Sequence, residues 1–446
     1  VWLALALGAG WAGYFLGALP GAMLLAAGVA ALLWPGDPRT LQFGTIAAFI
    51  AVPLGVISLA WAGFLGGLAL IALSVAAFVA EGTLSLQQGV PVAELPETER
   101  SLPLAAAVAV DEALLGFIIT MALRRRRQGV LREGAAAVAF YRENGWMENP
   151  ADYHKTPPLL ENPRLHPARA YGIQFEHLAF ESGYQPHPGE PGGDRWRSYD
   201  FCRSAHAWVM RHESPERPWL MCIHGLQMGW PLADLAAFRA QWLHRRLGLN
   251  LIFPVLPFHG KRGYGLVSGN GFISEQILDT VHAFAQACWD LRRMLSWVRS
   301  QGAAAVGVHG LSLGGYTAAL IASLDEGLSC AIPGIPAVDF AALAWQHAPP
   351  FELERFSREG LGREELAAVL RPVAPLVLKP KVPTERRFLF GGTADRMVPP
   401  DQVRALWHHW GKPRIHWYPG SHVSFSRHPS VGEFIKEALR ESGLTQ

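Results

Sequence analysis

Val306-Gly307-Val308-His309-Gly310-Leu311-Ser312-Leu313-Gly314-Gly315 is the stretch on which the reading of this chain turns. An apolar run from Ala303 to Val308 leads into it and reads as a buried strand. Tyr316 to Leu324, small and apolar, follows and reads as a buried helix. Between them Gly310, Ser312 and Gly314 fill a G-x-S-x-G pattern. In a nucleophile elbow the serine takes a strained backbone at a tight strand-to-helix turn, and a Cβ at either glycine would collide with the neighbouring strand and helix. With 46 glycines in 446 residues the pattern alone is weak. The strand before it and the helix after it give it weight.

A serine hydroxyl is a poor nucleophile at neutral pH. It needs a histidine to accept its proton and a carboxylate to orient that histidine. Downstream, Phe388 to Phe390 is an apolar strand, Gly391-Gly392-Thr393 a turn, and Asp395 an acid just beyond the strand's carboxyl end, where α/β sheets place their sites. Asp339, after the preceding strand, is the rival acid. His422, in Tyr418-Pro419-Gly420-Ser421-His422, lies on the loop after the last strand and is the best placed of 17 histidines.

Outward from the elbow, strands and helices alternate from about residue 171. Gly172 to Phe180, Ala205 to Arg211, Trp219 to Ile223 and Leu251 to Leu256 read as strands. An amphipathic helix runs from Glu275 to Arg299. Cys330 to Val338, Arg387 to Phe390 and Arg414 to Tyr418 follow the elbow as further strands. The fold class is therefore α/β: after an opening hairpin, a doubly wound, mostly parallel sheet with helices on both faces.

This section, about 171 to 440, resembles the α/β-hydrolase superfamily. The match consists of His224-Gly225 after the third strand, G-x-S-x-G after the fifth, an acid after the seventh and a histidine after the eighth. The resemblance implies Ser312 as nucleophile, His422 as general base and Asp395 as orienting acid. A fainter similarity, through Pro257-Phe258-His259-Gly260-Lys261-Arg262, is to membrane-associated members grouped with the mammalian domain-containing-18 branch. An oxyanion needs backbone donors. The N–H of Leu313 is one by the geometry of an elbow. The second is the N–H of Leu226 or of Gln227. His224 orients that loop or borders the substrate. Lys261 and Arg262 stand near the mouth of the site, as solvated charges or as contacts for an anionic head group. Residues 340–382 form a long insertion, a lid over an apolar pocket or a packed helical excursion.

The N-terminal region differs in kind. Residues 1–34 and 44–80 carry no charge, and each exceeds the roughly 20 apolar residues of one span. Pro20-Gly21 and Gly66-Gly67 interrupt them, which predicts two helical hairpins over residues 1–80 rather than two long helices. With no basic n-region, the first run does not read as a signal peptide. The chain begins at Val1 rather than Met, and both an alternative start codon and a truncated sequence are open. Residues 81–170 read as a linker, an interfacial helix and an N-terminal extension of a catalytic domain at 171–446. Asp111 and Glu112 interrupt the apolar run from Leu104 to Leu123. Carboxylates inside a span cost about 2.5–3.5 kcal/mol each, so Asp111 to Leu123 is expected along the membrane surface or packed on the next domain. Arg124 to Arg127 then supply a positive-inside signal that puts the remainder in the cytoplasm, here of a bacterial inner membrane.

Net charge is +2, so no nucleic-acid partner is called for. Neither H-E-x-x-H, a phosphate-cradling glycine loop nor clustered Cys/His ligands occur, so no metal or cofactor is expected. The four cysteines, Cys202, Cys222, Cys288 and Cys330, form no C-x-x-C and read as reduced thiols. Charge-free spans leave transport without residues to carry it. The expectation is a membrane-anchored serine hydrolase acting on a lipid or other amphiphilic ester. An acyltransferase with the same triad and a non-catalytic scaffold on the hydrolase fold are the alternatives.

Overall fold

The computed structural model describes residues 1–3, 10–89, 92–123, 130–214, 216–265, 267–274, 276–358, 360 and 362–446. Arg124 to Arg127 and Glu275, invoked above, lie outside them. The chain forms two compact units. The first comprises Val1–Arg124, Gly392–Pro400 and Trp417–His428, the second Arg125–Gly391, Asp401–His416 and Pro429–Gln446.

Among the described residues the first unit contains four long helices, α1 (Gly10–Leu33), α2 (Pro38–Ser58), α3 (Gly63–Gln87) and α4 (Leu102–Leu123). Each contains a stretch long and apolar enough to cross a membrane: Leu16–Leu33, Pro38–Ser58, Gly63–Gln87 and Leu102–Thr120. Among the described residues the hairpin turns expected at Pro20-Gly21 and Gly66-Gly67 do not form. Pro20 lies inside α1, Gly66 and Gly67 lie inside α3, and the break falls at 59–62 instead. A proline removes one hydrogen bond and a glycine pair removes side chains. Either can bend a helix without ending it.

The helix expected from Asp111, along a membrane surface or packed on the next domain, begins nine residues earlier, at Leu102. One 22-residue helix runs from Leu102 to Leu123, and both of its carboxylates are buried against protein. The helix packs on α2 and α3. Gly82 permits the close crossing, because a Cβ there would overlap the Ala105 carbonyl oxygen. Ser85 Oγ donates to Glu112 Oε1 at 2.7 Å. The cost of an acid in an apolar helix is met by hydrogen-bond donors on neighbouring segments rather than by exposure to solvent.

The strands, which apart from Gly392, Trp417 and Tyr418 belong to the second unit, are β1 (Arg164–Ala170), β2 (Ile173–Glu181), β3 (Ser204–Met210), β4 (Trp219–Ile223), β5 (Asn250–Val255), β6 (Val306–Leu311), β7 (Cys330–Gly334), β8 (Phe388–Gly392) and β9 (Arg414–Tyr418). Their order in the sheet is β1-β2-β3-β5-β4-β6-β7-β8-β9. β1, β2 and β3 form an antiparallel meander, and β3 pairs antiparallel with β5. From β5 through β4, β6, β7 and β8 the pairing is parallel. The sheet is mixed, with one strand more than expected: β1 stands at the edge, in what reads as extension. The His-Gly loop consequently follows the fourth strand, the serine turn the sixth, the acid the eighth and His422 the ninth.

The parallel strands are buried along their whole length, as continuous apolar runs demand. α5 (Ile277–Ser300) and α6 (Leu313–Leu324) follow β5 and β6. Buried Leu278, Val281, Phe284, Cys288, Leu291, Leu295 and Val298 make the inner stripe of α5. The insertion 340–382 is helical, with helices Phe340–His347, Pro350–Arg358 and Arg363–Leu370. Tyr316 Oη donates to the Val373 carbonyl at 2.8 Å and ties that excursion to α6. All four cysteines are free and buried.

Candidate active site

Ser312 sits between β6 and α6 at φ 56° and ψ −114°, a conformation rare for any residue with a side chain. Two backbone bonds fix it. Its N–H donates to the Gly334 carbonyl at 2.9 Å, and its carbonyl accepts from the Tyr316 N–H at 3.0 Å. The glycines are required by contact. A Cβ on Gly310 would overlap the Gly314 carbonyl oxygen, and one on Gly314 would overlap that of Ile223. Ser312 itself is half-buried.

Leu313 opens α6, so its N–H belongs to the first turn, whose donors have no intrahelical acceptor. The 224–227 loop lies alongside: a Cβ built on Gly225 would stand 3.6 Å from Ser312 Cβ. The Gly225 N–H is directed at Met228 Sδ, 3.3 Å away. Among the described residues neither the Leu226 nor the Gln227 N–H makes a hydrogen bond, and Gln227 holds φ 64°. Both remain candidates for the second oxyanion donor.

His224 is wholly buried with both nitrogens engaged. Its Nε2 accepts from the Leu256 N–H at 3.1 Å, which puts the ring proton on Nδ1, 2.8 Å from the Gly225 carbonyl. Burial holds this imidazole below its usual pKa, so it stays neutral. It braces the loop between β4 and β5, and the reading of His224 as a substrate contact is corrected. Arg262 is corrected too. It is buried, pairs with Asp290 at 2.8 Å and donates to the Val255 and Cys202 carbonyls at 3.0 Å. Only Lys261 of that pair is exposed. Asp339, the rival acid, caps Phe340–His347 by accepting from Ala342 N–H at 2.8 Å and pairs with Arg363 at 3.1 Å.

In the first unit the structure brings Asp395 and His422 together. His422 Nδ1 is 2.6 Å from Asp395 Oδ2, and both side chains are buried. Asp395 Oδ1 accepts from the N–H groups of Met397 and Val398, at 3.0 and 2.8 Å. The carboxylate is thus locked by the turn it sits in, and it faces the ring with its second oxygen. The two loops are stitched by Thr393 N–H to the Tyr418 carbonyl and Ala394 N–H to the Gly420 carbonyl, each 3.0 Å. Tyr418 Oη donates to the Ser421 carbonyl at 2.9 Å. Burial pulls the His422 pKa down, but the charge and hydrogen bond of Asp395, with the charge of Asp111, outweigh it and raise the value above the ordinary one. With Nδ1–H committed to Asp395, Nε2 is the basic nitrogen.

One participant was not found from sequence. Asp111, on α4, accepts at Oδ2 from the N–H groups of His422 (2.7 Å) and Arg396 (3.1 Å), and at Oδ1 from that of Val423 (3.3 Å). The Arg396 guanidinium donates to the Ser85 carbonyl on α3. The signal in the sequence was the pair of acids inside an apolar run. Among the described residues no cluster of His, Cys, Asp and Glu is arranged to hold a metal ion.

No protein-family profile matches the chain. Among solved structures it is similar to the acetyl xylan esterase from Paenibacillus sp. R4, with a TM-score of 0.46 and 17% identity over 68% of this chain and 94% of that one. It is also similar to acetyl xylan esterase 1 from Thermoanaerobacterium sp. JW/SL YS485, with a TM-score of 0.43 and 15% identity over 66% and 93%. Two sequence relatives come from Mycobacterium tuberculosis. They are "Uncharacterized protein MT2702" of strain CDC 1551 and "Uncharacterized protein Rv2627c" of strain H37Rv. Each is 44% identical over 356 residues, 79% of this chain and 85% of the relative. By that identity and coverage, this chain belongs to the same family as these two mycobacterial proteins.

Proposed function

We propose that the protein is a membrane-anchored serine hydrolase that cleaves carboxylic esters. The reading is carried by the 2.6 Å hydrogen bond from His422 Nδ1 to a carboxylate, in a chain that also holds a serine at φ 56° ahead of a helix. Ser312 Oγ attacks the ester carbonyl while His422 Nε2 takes its proton. The tetrahedral oxyanion is held by the N–H of Leu313 and that of Leu226 or Gln227. Collapse breaks the bond to the alcohol, which leaves with the proton returned from His422, and the acyl group stays on Ser312. Water, deprotonated by His422, then attacks the acyl-enzyme and releases the acid.

The anchor rests on the four apolar helices and on large side chains such as Leu32, Phe64 and Leu65 that α1 and α3 leave uncovered. Lipid tails are the medium that suits them, and the arginines at 124–127 favour a cytoplasmic catalytic region in a bacterial inner membrane. An enzyme held at a bilayer meets amphiphilic esters, so a lipid or acyl ester is the proposed substrate class. An acyltransferase would use the same residues with an alcohol in place of water at the second step.

The test is labelling of the full-length protein with a fluorophosphonate. Labelling that Ser312→Ala abolishes, and that a neighbouring serine variant leaves intact, is the expected result. A folded wild type that takes up no label would instead support a non-catalytic scaffold.

A further inference from the structure

We infer that Asp111, from the apolar helix α4, is a positioning residue for the general base His422. The inference rests on the serine-hydrolase reading. It begins with an oddity of placement: a carboxylate in the middle of a helix otherwise suited to cross a membrane, fully buried, and among the described residues bonded by no basic side chain. Its partners are three backbone N–H groups. Two belong to His422 and its successor Val423, and one to Arg396, the successor of Asp395.

A carboxylate is suited to this work because both of its oxygens accept and neither donates. Here one side chain reaches the backbone of both catalytic loops and fixes the spacing between acid and base. The bonds go to main chain rather than to the imidazole, so Asp111 leaves both ring nitrogens free for Asp395 and for proton transfer. Its negative charge also favours the imidazolium that forms when Ser312 attacks. α4 is held in place by its crossing with Gly82 on α3, and α3 holds the Arg396 guanidinium through the Ser85 carbonyl. Val108 and Leu104, one and two turns before Asp111, pack with Ala394 beside the acid loop. The apolar helices therefore serve as part of the scaffold of the acid–base pair, beyond holding the protein at a bilayer.

The test uses the full chain in detergent micelles and the rate of fluorophosphonate labelling against probe concentration. Asp111→Asn replaces one acceptor by a donor that faces backbone N–H groups. The limiting rate is expected to fall roughly 100-fold, the effect of a small misplacement of a catalytic group, with the half-saturating concentration unchanged. Asp111→Glu, which keeps charge and acceptors on a longer arm, is expected to fall between Asn and wild type. Adding Asp111→Asn to His422→Ala is expected to slow residual labelling no further, since a residue acting through His422 has nothing left to position.

Labelling of Asp111→Asn at the wild-type rate would overturn the inference. So would a double variant slower than His422→Ala by the full factor seen in the single one, which marks a general structural role. If Asp111→Asn does not fold, Asp111→Glu decides: slowed labelling at unchanged half-saturation supports positioning, and the wild-type rate overturns it. A wild type that is not labelled at Ser312 overturns the hydrolase reading itself, and is told apart because no variant is needed to see it.

Discussion

The turn that carries Ser312 and the pair formed by Asp395 and His422 are held by different kinds of force. Ser312 is positioned by exclusion. Glycines at 310 and 314 leave room for backbone that no side chain would tolerate, and the strained φ follows from the strand and helix pressing on it. The acid–base pair is positioned by attraction. Its loops are gathered by hydrogen bonds to a carboxylate 311 residues before His422 in the chain. Steric placement is written in the few residues around it, whereas polar placement is written at a distance. The first fails abruptly when an atom is added. The second fails by degrees as acceptors are lost.

Substitutions can break this contrast or sharpen it. Ser312→Ala removes the proposed nucleophile and is expected to lower ester hydrolysis by roughly 10⁶-fold, read as turnover of p-nitrophenyl butyrate. Asp395→Asn leaves His422 without its orienting acceptor and is expected to cost about 10⁴-fold in the same assay. The residual activity reports a second quantity. Activity rises as His422 loses its proton, and its raised pKa places that rise above the ordinary histidine value of about 6.5. Asp395 and Asp111 are the carboxylates that push it up, so Asp395→Asn moves the rise to lower pH, visible in a pH–rate profile. The same shift makes protonated His422 a source of stability below the unfolded-state value, lost as pH climbs through the folded one.

Gly314→Ala tests exclusion directly. Its methyl meets a backbone carbonyl that cannot rotate away, so a loss of about 4 kcal/mol or more and disappearance of serine labelling are expected in thermal unfolding and probe assays. Arg262→Ala strands the buried Asp290 charge and is expected to cost about 3–5 kcal/mol. Lys261→Ala, one residue earlier and exposed, is expected to change stability by no more than about 0.5 kcal/mol, read from the same melting curves.

Much of the second unit was legible because its signals are local. A strand, a glycine turn and a helix announce Ser312 within about twenty residues, and β9 was read at its observed ends, Arg414 to Tyr418. β1 was not read as a strand. Its residues, Arg164-Leu165-His166-Pro167-Ala168-Arg169-Ala170, are mostly polar or small, contain a proline and stay largely exposed. Those are the traits of an edge strand, which has only one neighbour to satisfy and is protected by charge and proline against pairing further. Arg262 looked like surface charge because nothing near it in sequence predicts Asp290. The helix breaks in the first unit were misplaced because a proline or a glycine pair can bend a helix without ending it. Asp111 drew notice for its cost. What offsets that cost lies on loops after β8 and β9, and only the folded chain shows them together.

The three bonds to Asp111 bear on which parts of this protein can be exchanged. A tether can be replaced by any apolar sequence of the right length, since its task is read by lipid and lipid is indifferent to order. α4 lacks that freedom. A graft that matched its hydropathy and length but moved the carboxylate by one position would turn it about 100° around the helix axis, away from the loops it serves. Under the proposed function, exchanging α4 for another apolar helix is therefore expected to leave the sheet folded and to abolish ester hydrolysis.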